Sequence, residues 1–276
     1  MEKTKLAVAT LGLVGLVSIA FAQGAEKPPL AELKPPAEET IPSGPRGDAI
    51  RSGKLLLNET HQRLPNNVGN KLTCANCHLG AGTIANASPW VGIWGVFPEY
   101  RSRSGQLNSL QQRVNDCFQR SMNGKALSYD SKEMNDILAY MHWLSSGVPT
   151  GLSVKGRGFG PINRDLEPSA QNGKSVYASK CASCHGVNGE GMKNAQGIYY
   201  FPPLWGKDSF NVGAGMARTY TAAAFVKHNM PLGQPNSLTD QQAVDVAEYF
   251  THQSRPDYPA KSKDWPKGDK PKDARN

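Results

Sequence analysis

Two short segments constrain this chain more than anything else in it: Cys74-Ala75-Asn76-Cys77-His78 and Cys181-Ala182-Ser183-Cys184-His185, both of the form C-x-x-C-H. That spacing is the covalent attachment pattern of a c-type haem. Carried on the first turn of a helix, the two thiols reach the two vinyl groups of one porphyrin. The histidine that follows then points its imidazole at the iron. A thiol-disulfide C-x-x-C motif that happens to precede a histidine is the competing reading of one such segment. Two in one chain point to two covalently bound haem c groups. The sequence holds 5 cysteines, so at least one cannot enter an intramolecular disulfide. That one is Cys117.

The N-terminus sets the compartment. Lys3 and Lys5 precede an uncharged, largely apolar stretch from Leu6 to Ala20, and Ala20-Phe21-Ala22 supplies a small-x-small cleavage pattern before Gln23. Residues 1–22 therefore read as a secretory signal peptide, and the expected location is the periplasm. The apolar run is short for a bilayer span, though an uncleaved anchor is the alternative. No other stretch is long and apolar enough to cross a membrane. Export agrees with haem attachment, which takes place on that side of the membrane, and would otherwise suggest a disulfide scaffold. The net charge is +8. The segment removed carries Lys3 and Lys5 against Glu2, so the mature chain keeps +7. Such a charge suits a small anionic substrate or an acidic protein partner. Nucleic acid is excluded as a partner, because no binding motif is present and export removes the target.

An internal repeat divides the remainder. Gly53-Lys54-Leu55-Leu56-Leu57 precedes the first attachment segment, and Gly173-Lys174-Ser175-Val176-Tyr177 precedes the second. Each half closes on an apolar pattern of helical period: Met134, Ile137, Leu138, Tyr140, Met141 in one and Ala243, Val244, Val246, Ala247, Tyr249, Phe250 in the other. Asp130 and Asp240 are the expected N-caps. Each half resembles a class I cytochrome c domain. The expected fold is all-α, two such domains in tandem, each with one covalent haem. Residues 47–150 form the first domain and residues 169–254 the second. Residues 23–46, rich in Pro and Glu, form an extended arm. Residues 151–168 form a linker whose G-x-G-x-G spacing lacks the flanking strand and helix of a nucleotide loop. Residues 255–276 form a basic, solvated tail.

The sixth iron ligand decides whether a haem carries electrons only. In the second half Met230-Pro231 precedes the last helix, so His185 and Met230 are the expected axial pair, with Met192 and Met216 as rivals. Methionine more often fills gaps in a core. The first half has no Met-Pro there; it has Asp116-Cys117-Phe118. A thiolate beside His78 would donate electron density and lower the potential. The rivals are Met122, His61 and His142, the last placed on the apolar face of the closing helix. Cys117 could also be a buried free thiol or form an intermolecular disulfide.

Leu107 to Met122 has helical composition without Gly or Pro, and Arg113, Cys117 and Ser121 recur at i, i+4, i+8 on one face. Arg120 follows Cys117 by three residues, and Arg101 and Arg103 lie upstream. Guanidinium forks bind oxyanions through paired hydrogen bonds. Gathered around a ligating thiolate they suggest a small sulfur oxyanion as substrate; a solvated basic face is the plainer alternative.

Two segments carry a closer resemblance: Ser88-Pro89-Trp90-Val91-Gly92-Ile93-Trp94-Gly95-Val96-Phe97-Pro98-Glu99-Tyr100-Arg101-Ser102-Arg103-Ser104-Gly105 and Asn115-Asp116-Cys117-Phe118-Gln119-Arg120-Ser121-Met122-Asn123-Gly124-Lys125. With these the mature chain resembles the dihaem thiosulfate dehydrogenases, whose first domain is similar to the haem subunit of the bacterial sulfur-oxidising complex. The resemblance implies oxidation of two thiosulfate ions to tetrathionate, with His78 and Cys117 on the first iron as the active site. It implies that Arg103, Arg113 and Ser121 line the substrate pocket, Arg101 and Arg120 being further candidates. It also implies that His185 and Met230 hold the electron-exit haem, and that electrons leave to an external acceptor such as a small c-type cytochrome or high-potential carrier. Some members place a lysine directly before that methionine; here the residue is Asn229, and Lys227 is out of register. Two other activities fit the same residues: thiosulfate sulfur transfer to a carrier-protein cysteine, and electron carriage without catalysis.

Overall fold

The computed structural model describes residues 29–275. The export segment assigned to residues 1–22 lies outside them. The fold is mostly helical, with two cytochrome c-type domains in tandem. The first holds α1 (Pro45–Asn58), the one-turn α2 (Thr60–Arg63) and α3 (Leu79–Gly82), α4 (Leu110–Gln119) and α5 (Lys132–Leu144). The second holds α6 (Ala170–Lys180), α7 (Ala182–His185), α8 (Thr219–Asn229) and α9 (Asp240–Thr251). Two short antiparallel hairpins interrupt the helices. β1 (Glu99–Arg101) pairs with β2 (Gln106–Asn108), and β3 (Met192–Lys193) with β4 (Tyr199–Phe201).

The repeat seen in the sequence becomes one helix crossing made twice. Pro at the first turn and Gly44 as N-cap start α1, which buries Ile50, Gly53, Leu56 and Leu57. It crosses α5 at Gly53, where a β-carbon would lie 2.0 Å from the carbonyl oxygen of Asp136. In the second domain α6 crosses α9 at Gly173, where a β-carbon would lie 1.9 Å from the carbonyl oxygen of Asp245. Tyr140 and Tyr249 flank the two contacts. Glycine is required because backbone meets backbone. Gly53→Ala or Gly173→Ala should force the helices apart and cost roughly 1–3 kcal/mol, as overpacking does. A urea midpoint that does not move in either variant would contradict this account.

The helix starts differ by one residue from expectation. Ser131 caps α5 by accepting the amide of Met134 at 3.1 Å, and Thr239 caps α9 in a reciprocal box with Gln242. The hydroxyls take the cap, leaving Asp130 bonded to Ser128 and Asp240 at the first helical position, where its charge suits the helix dipole. The helix expected from Leu107 is also shorter. Leu107 belongs to β2, and Ser109 opens α4 through a capping box with Gln112.

The arm and the linker pair with each other. Ala31 bridges Val154 in parallel, its amide donating to Ser153 O and its carbonyl accepting from the amide of Lys155, both at 2.8 Å. The linker in turn accepts from the first domain, Gly156 O from Asn86 N and Gly158 O from Ser88 N, each at 2.7 Å. The expected solvated tail is a correction: residues 255–275 fold back over both domains. Asp264 is almost wholly buried against Arg120, Trp265 is buried, and Asp273 accepts the amide of Tyr220 at 2.9 Å. Trp265 holds φ +53°, a costly backbone for a bulky residue, and donates its amide to Arg103 O at 2.8 Å. What composition showed as basic and Pro-containing is held by Asp264, Trp265 and Asp273.

The domains share a continuous apolar core. Across their boundary Asn70 Nδ2 donates to Ser209 O at 3.0 Å, Asn211 Nδ2 to Gln119 O at 2.9 Å, and Asn229 Nδ2 to Asn86 O at 2.9 Å. No helix among the described residues is long and apolar enough to cross a membrane.

Candidate active site

The first C-x-x-C-H segment sits on a 3-10 turn, Cys74–Asn76, capped reciprocally by Thr73 and Asn76. Cys74 N donates to Thr60 Oγ1 at 3.1 Å, tying the turn to α2. His78 follows beyond the turn. Its Nδ1 lies 2.6 Å from Ser88 O, which assigns the proton to Nδ1 and leaves Nε2 as the nitrogen able to bind metal. Its ring stacks on Trp90 at 4.6 Å, and Gly82 leaves room for that indole. Burial pushes the His78 pKa down to about 4, so the ring is neutral. The second segment repeats the device on α7: His185 Nδ1 lies 2.8 Å from Pro202 O.

Each segment faces a cavity. The first, of about 670 Å³, is lined by Cys74, Cys77, His78, Arg113, Cys117 and Ser121 among others. The second, of about 270 Å³, is lined by Cys181, Cys184, His185 and Met230. Paired thiols, a correctly protonated imidazole and a further sulfur on each cavity wall are the donor set a covalent haem needs, so the residues fit that group. Leu72, Cys77, Phe210 and Met216 line both cavities, which therefore share a wall.

The rival ligands separate. His61 and His142 do not line the first cavity; His142 is exposed and meets Trp94 edge-on, so it is not on the apolar face of α5. Met122 is buried and lines the first cavity with Cys117. Met192 is exposed on β3 and does not line the second cavity, whereas Met216 does. Asn229 is buried and bonded to Asn86 and Phe225 carbonyls, and Lys227 Nζ donates to Leu238 O at 2.6 Å. Neither residue is disposed as a ligand.

The helical face read from the sequence is present. Arg113 Nη1 donates to Cys117 Sγ at 2.8 Å, one turn apart on α4. The Cys117 sulfur in turn raises the Arg113 pKa, more than burial lowers it. The other arginines divide into two layers. Arg101 lines the cavity and shares Glu99 with Arg157, at 2.9 and 2.8 Å. Burial works against ionised Glu99, yet bonds from Arg157 and Arg101 hold its pKa below the ordinary value. Arg103 and Arg120, expected in the pocket, are not among its lining. Arg120 grips Asp264 through two bonds of 2.8 and 2.7 Å and lies over Tyr258. Arg103 donates to Gly213 O, stacks on Trp265 and reaches Asp264 at 3.7 Å. Two cavity arginines were not singled out from the sequence: Arg157, inside the supposed linker, and Arg218, in the second domain. Neither stands at a periodic position, so only the folded chain brings them in.

Two tandem domains, each presenting C-x-x-C-H and a further sulfur to a cavity, define a c-type cytochrome with two haem sites. Residues 65–150 match the family model described as SoxA/TsdA, cytochrome c domain, and residues 170–254 match Cytochrome c. The thiosulfate dehydrogenase of Psychrobacter arcticus is 52% identical over 88% of this chain and 74% of its own length. That of Allochromatium vinosum is 47% identical over 91% and 93%. The solved thiosulfate dehydrogenase (TsdBA) of Marichromatium purpuratum superposes with a TM-score of 0.76 at 38% identity, over 83% of this chain; the match spans half of that longer chain. The protein belongs to the thiosulfate dehydrogenase family.

Proposed function

We propose that this protein oxidises two thiosulfate ions to tetrathionate in the first cavity and delivers the electrons through the second domain to an external acceptor. The single observation that carries the reading is the Arg113–Cys117 bond inside the cavity that also presents Cys74, Cys77 and His78. Family membership supports it throughout.

Cys74, Cys77, His78 and Cys117 would hold the first haem; Cys181, Cys184, His185 and Met230 would hold the second. Bound there, haem c supplies a one-electron acceptor at each site. Arg113 fixes the Cys117 sulfur, giving the terminal sulfur of thiosulfate a defined place to meet it. Joining two thiosulfates forms one S–S bond and releases two electrons. The main obstacle is repulsion between two dianions, which the cavity guanidinium groups offset while positioning them. Ser121 adds a short polar side chain on the same wall. Arg103 and Arg120 act from behind, holding the end of α4 through Asp264.

Electron exit through the second domain is supported by its rim. Tyr200 and Leu232 line the second cavity and are 53% and 66% exposed, so an acceptor such as a small c-type cytochrome or high-potential carrier can approach there. A thioether ligand raises a haem potential relative to a second imidazole. Met230→His should therefore lower the midpoint of one haem and leave the other in place in a redox titration. A titration unchanged for both would remove Met230 as ligand.

The periplasm is the proposed location, on the strength of the residue 1–22 pattern; a purified mature chain starting near Gln23 is the expected result. The activity itself is tested by adding thiosulfate and an oxidised c-type acceptor to the purified protein. Tetrathionate formed in step with acceptor reduction, without any carrier protein, supports the reading. Sulfur appearing only on an added carrier cysteine would replace it with the transferase.

A further inference from the structure

Arg218 enters the first cavity from the wrong domain. It is the N-cap residue of α8 and follows a 3-10 turn, Gly215–Ala217, which also reaches that cavity. Among the described residues, four guanidinium groups line the cavity: Arg101, Arg113, Arg157 and Arg218. Arg101 and Arg157 share Glu99, and Arg113 holds the Cys117 sulfur. Among the described residues, no carboxylate pairs with Arg218 at ion-pair distance, although Asp273 acts on it from farther away. Arg218 Nη2 donates to the neutral Thr221 hydroxyl at 2.8 Å, while its Nε is buried without a hydrogen-bond partner. Burial lowers its pKa, Asp273 opposes that, and Arg164 and Arg101 lower it further. A buried cation with an unsatisfied donor is costly unless an anion completes it.

We propose that Arg218 binds substrate: its guanidinium takes the three-oxygen end of thiosulfate, so the second domain completes the first domain's site. This rests on the reaction proposed above. With Arg113 committed to the Cys117 sulfur, the substrate's sulfur end belongs there. Its oxygen end then needs a donor elsewhere in the same cavity, and the Arg218 guanidinium lines that cavity with a fork suited to oxyanions. The carboxylates of haem c present the same chemistry, so the experiment must tell the two apart.

The test compares Arg218→Gln and Arg218→Lys with the wild type as full-length dihaem proteins. The readouts are kcat and KM for thiosulfate, calorimetric thiosulfate binding to ascorbate-reduced protein, and a redox titration of both haems. Arg218→Gln should raise KM and weaken binding by about tenfold or more, with kcat changed far less and both midpoints unmoved. Arg218→Lys should recover part of the binding, which also guards against a folding defect in the Gln variant. Unchanged binding in Arg218→Gln overturns the proposal. So does a shifted midpoint of the first haem with thiosulfate binding intact, which assigns Arg218 to the cofactor's carboxylates. A wild type that binds thiosulfate but forms no tetrathionate removes the proposed reaction and leaves this anion site standing.

Discussion

Cys117→Gly should abolish thiosulfate oxidation, lowering kcat/KM by at least about 10³-fold, while both haems stay attached. The thiols that would carry the first haem are Cys74 and Cys77, on a turn fixed by Thr73, Asn76 and Thr60. None of those contacts passes through α4. Removing the sulfur at 117 therefore leaves attachment alone and takes away the group that Arg113 holds at 2.8 Å. The visible spectrum of the first haem should change in the same variant, because the proposed sulfur ligand is lost. Haem content, spectrum and tetrathionate formation together decide the matter. Two attached haems with a normal rate would leave Cys117 as a half-buried free thiol, and Met122, on the same cavity, would become the next ligand to test.

The second large effect lies far from Cys117 in the sequence. Asp264→Asn should destabilise the protein by about 3 kcal/mol, read as a lowered urea midpoint. The Asp264 side chain is only 3% exposed and answers two guanidinium groups, Arg120 at 2.7 Å and Arg103 at 3.7 Å. Burial and Arg120 already push the Arg103 pKa down to about 10, with Asp264 opposing them. Taking away the carboxylate leaves two buried like charges facing each other. The tail should loosen as well, since Trp265 is tied to Arg103 by its amide and its ring. Proteolysis within residues 255–275 should accelerate. A variant as stable as wild type, with the tail equally resistant, would show that the ion pairs are dispensable.

Local pattern made part of this molecule legible. The attachment segments are continuous motifs, and the Gly53/Gly173 repeat marks the two helix crossings because only glycine fits there. Arg113 and Cys117 were readable as neighbours because both lie on one helix, where spacing alone sets distance. The arginine cluster was half readable. Its members were identified by composition, but which of them face the cavity depends on partners from distant segments. Asp264 draws Arg103 and Arg120 away from the cavity, and the linker and second domain supply Arg157 and Arg218 in their place. No window of sequence contains those pairings. The tail was misread for the same reason, since a basic, Pro-containing stretch looks solvated until its one buried acid meets its two cations.

The wall common to the two cavities bears on how such a protein can be cut or borrowed. A half excised at the glycines of the linker would carry away one face of its neighbour's cofactor chamber, since Leu72 and Cys77 come from one side and Phe210 and Met216 from the other. Neither half is a portable module. Transplanting the sulfur chemistry into another electron-transfer chain would require moving both halves together.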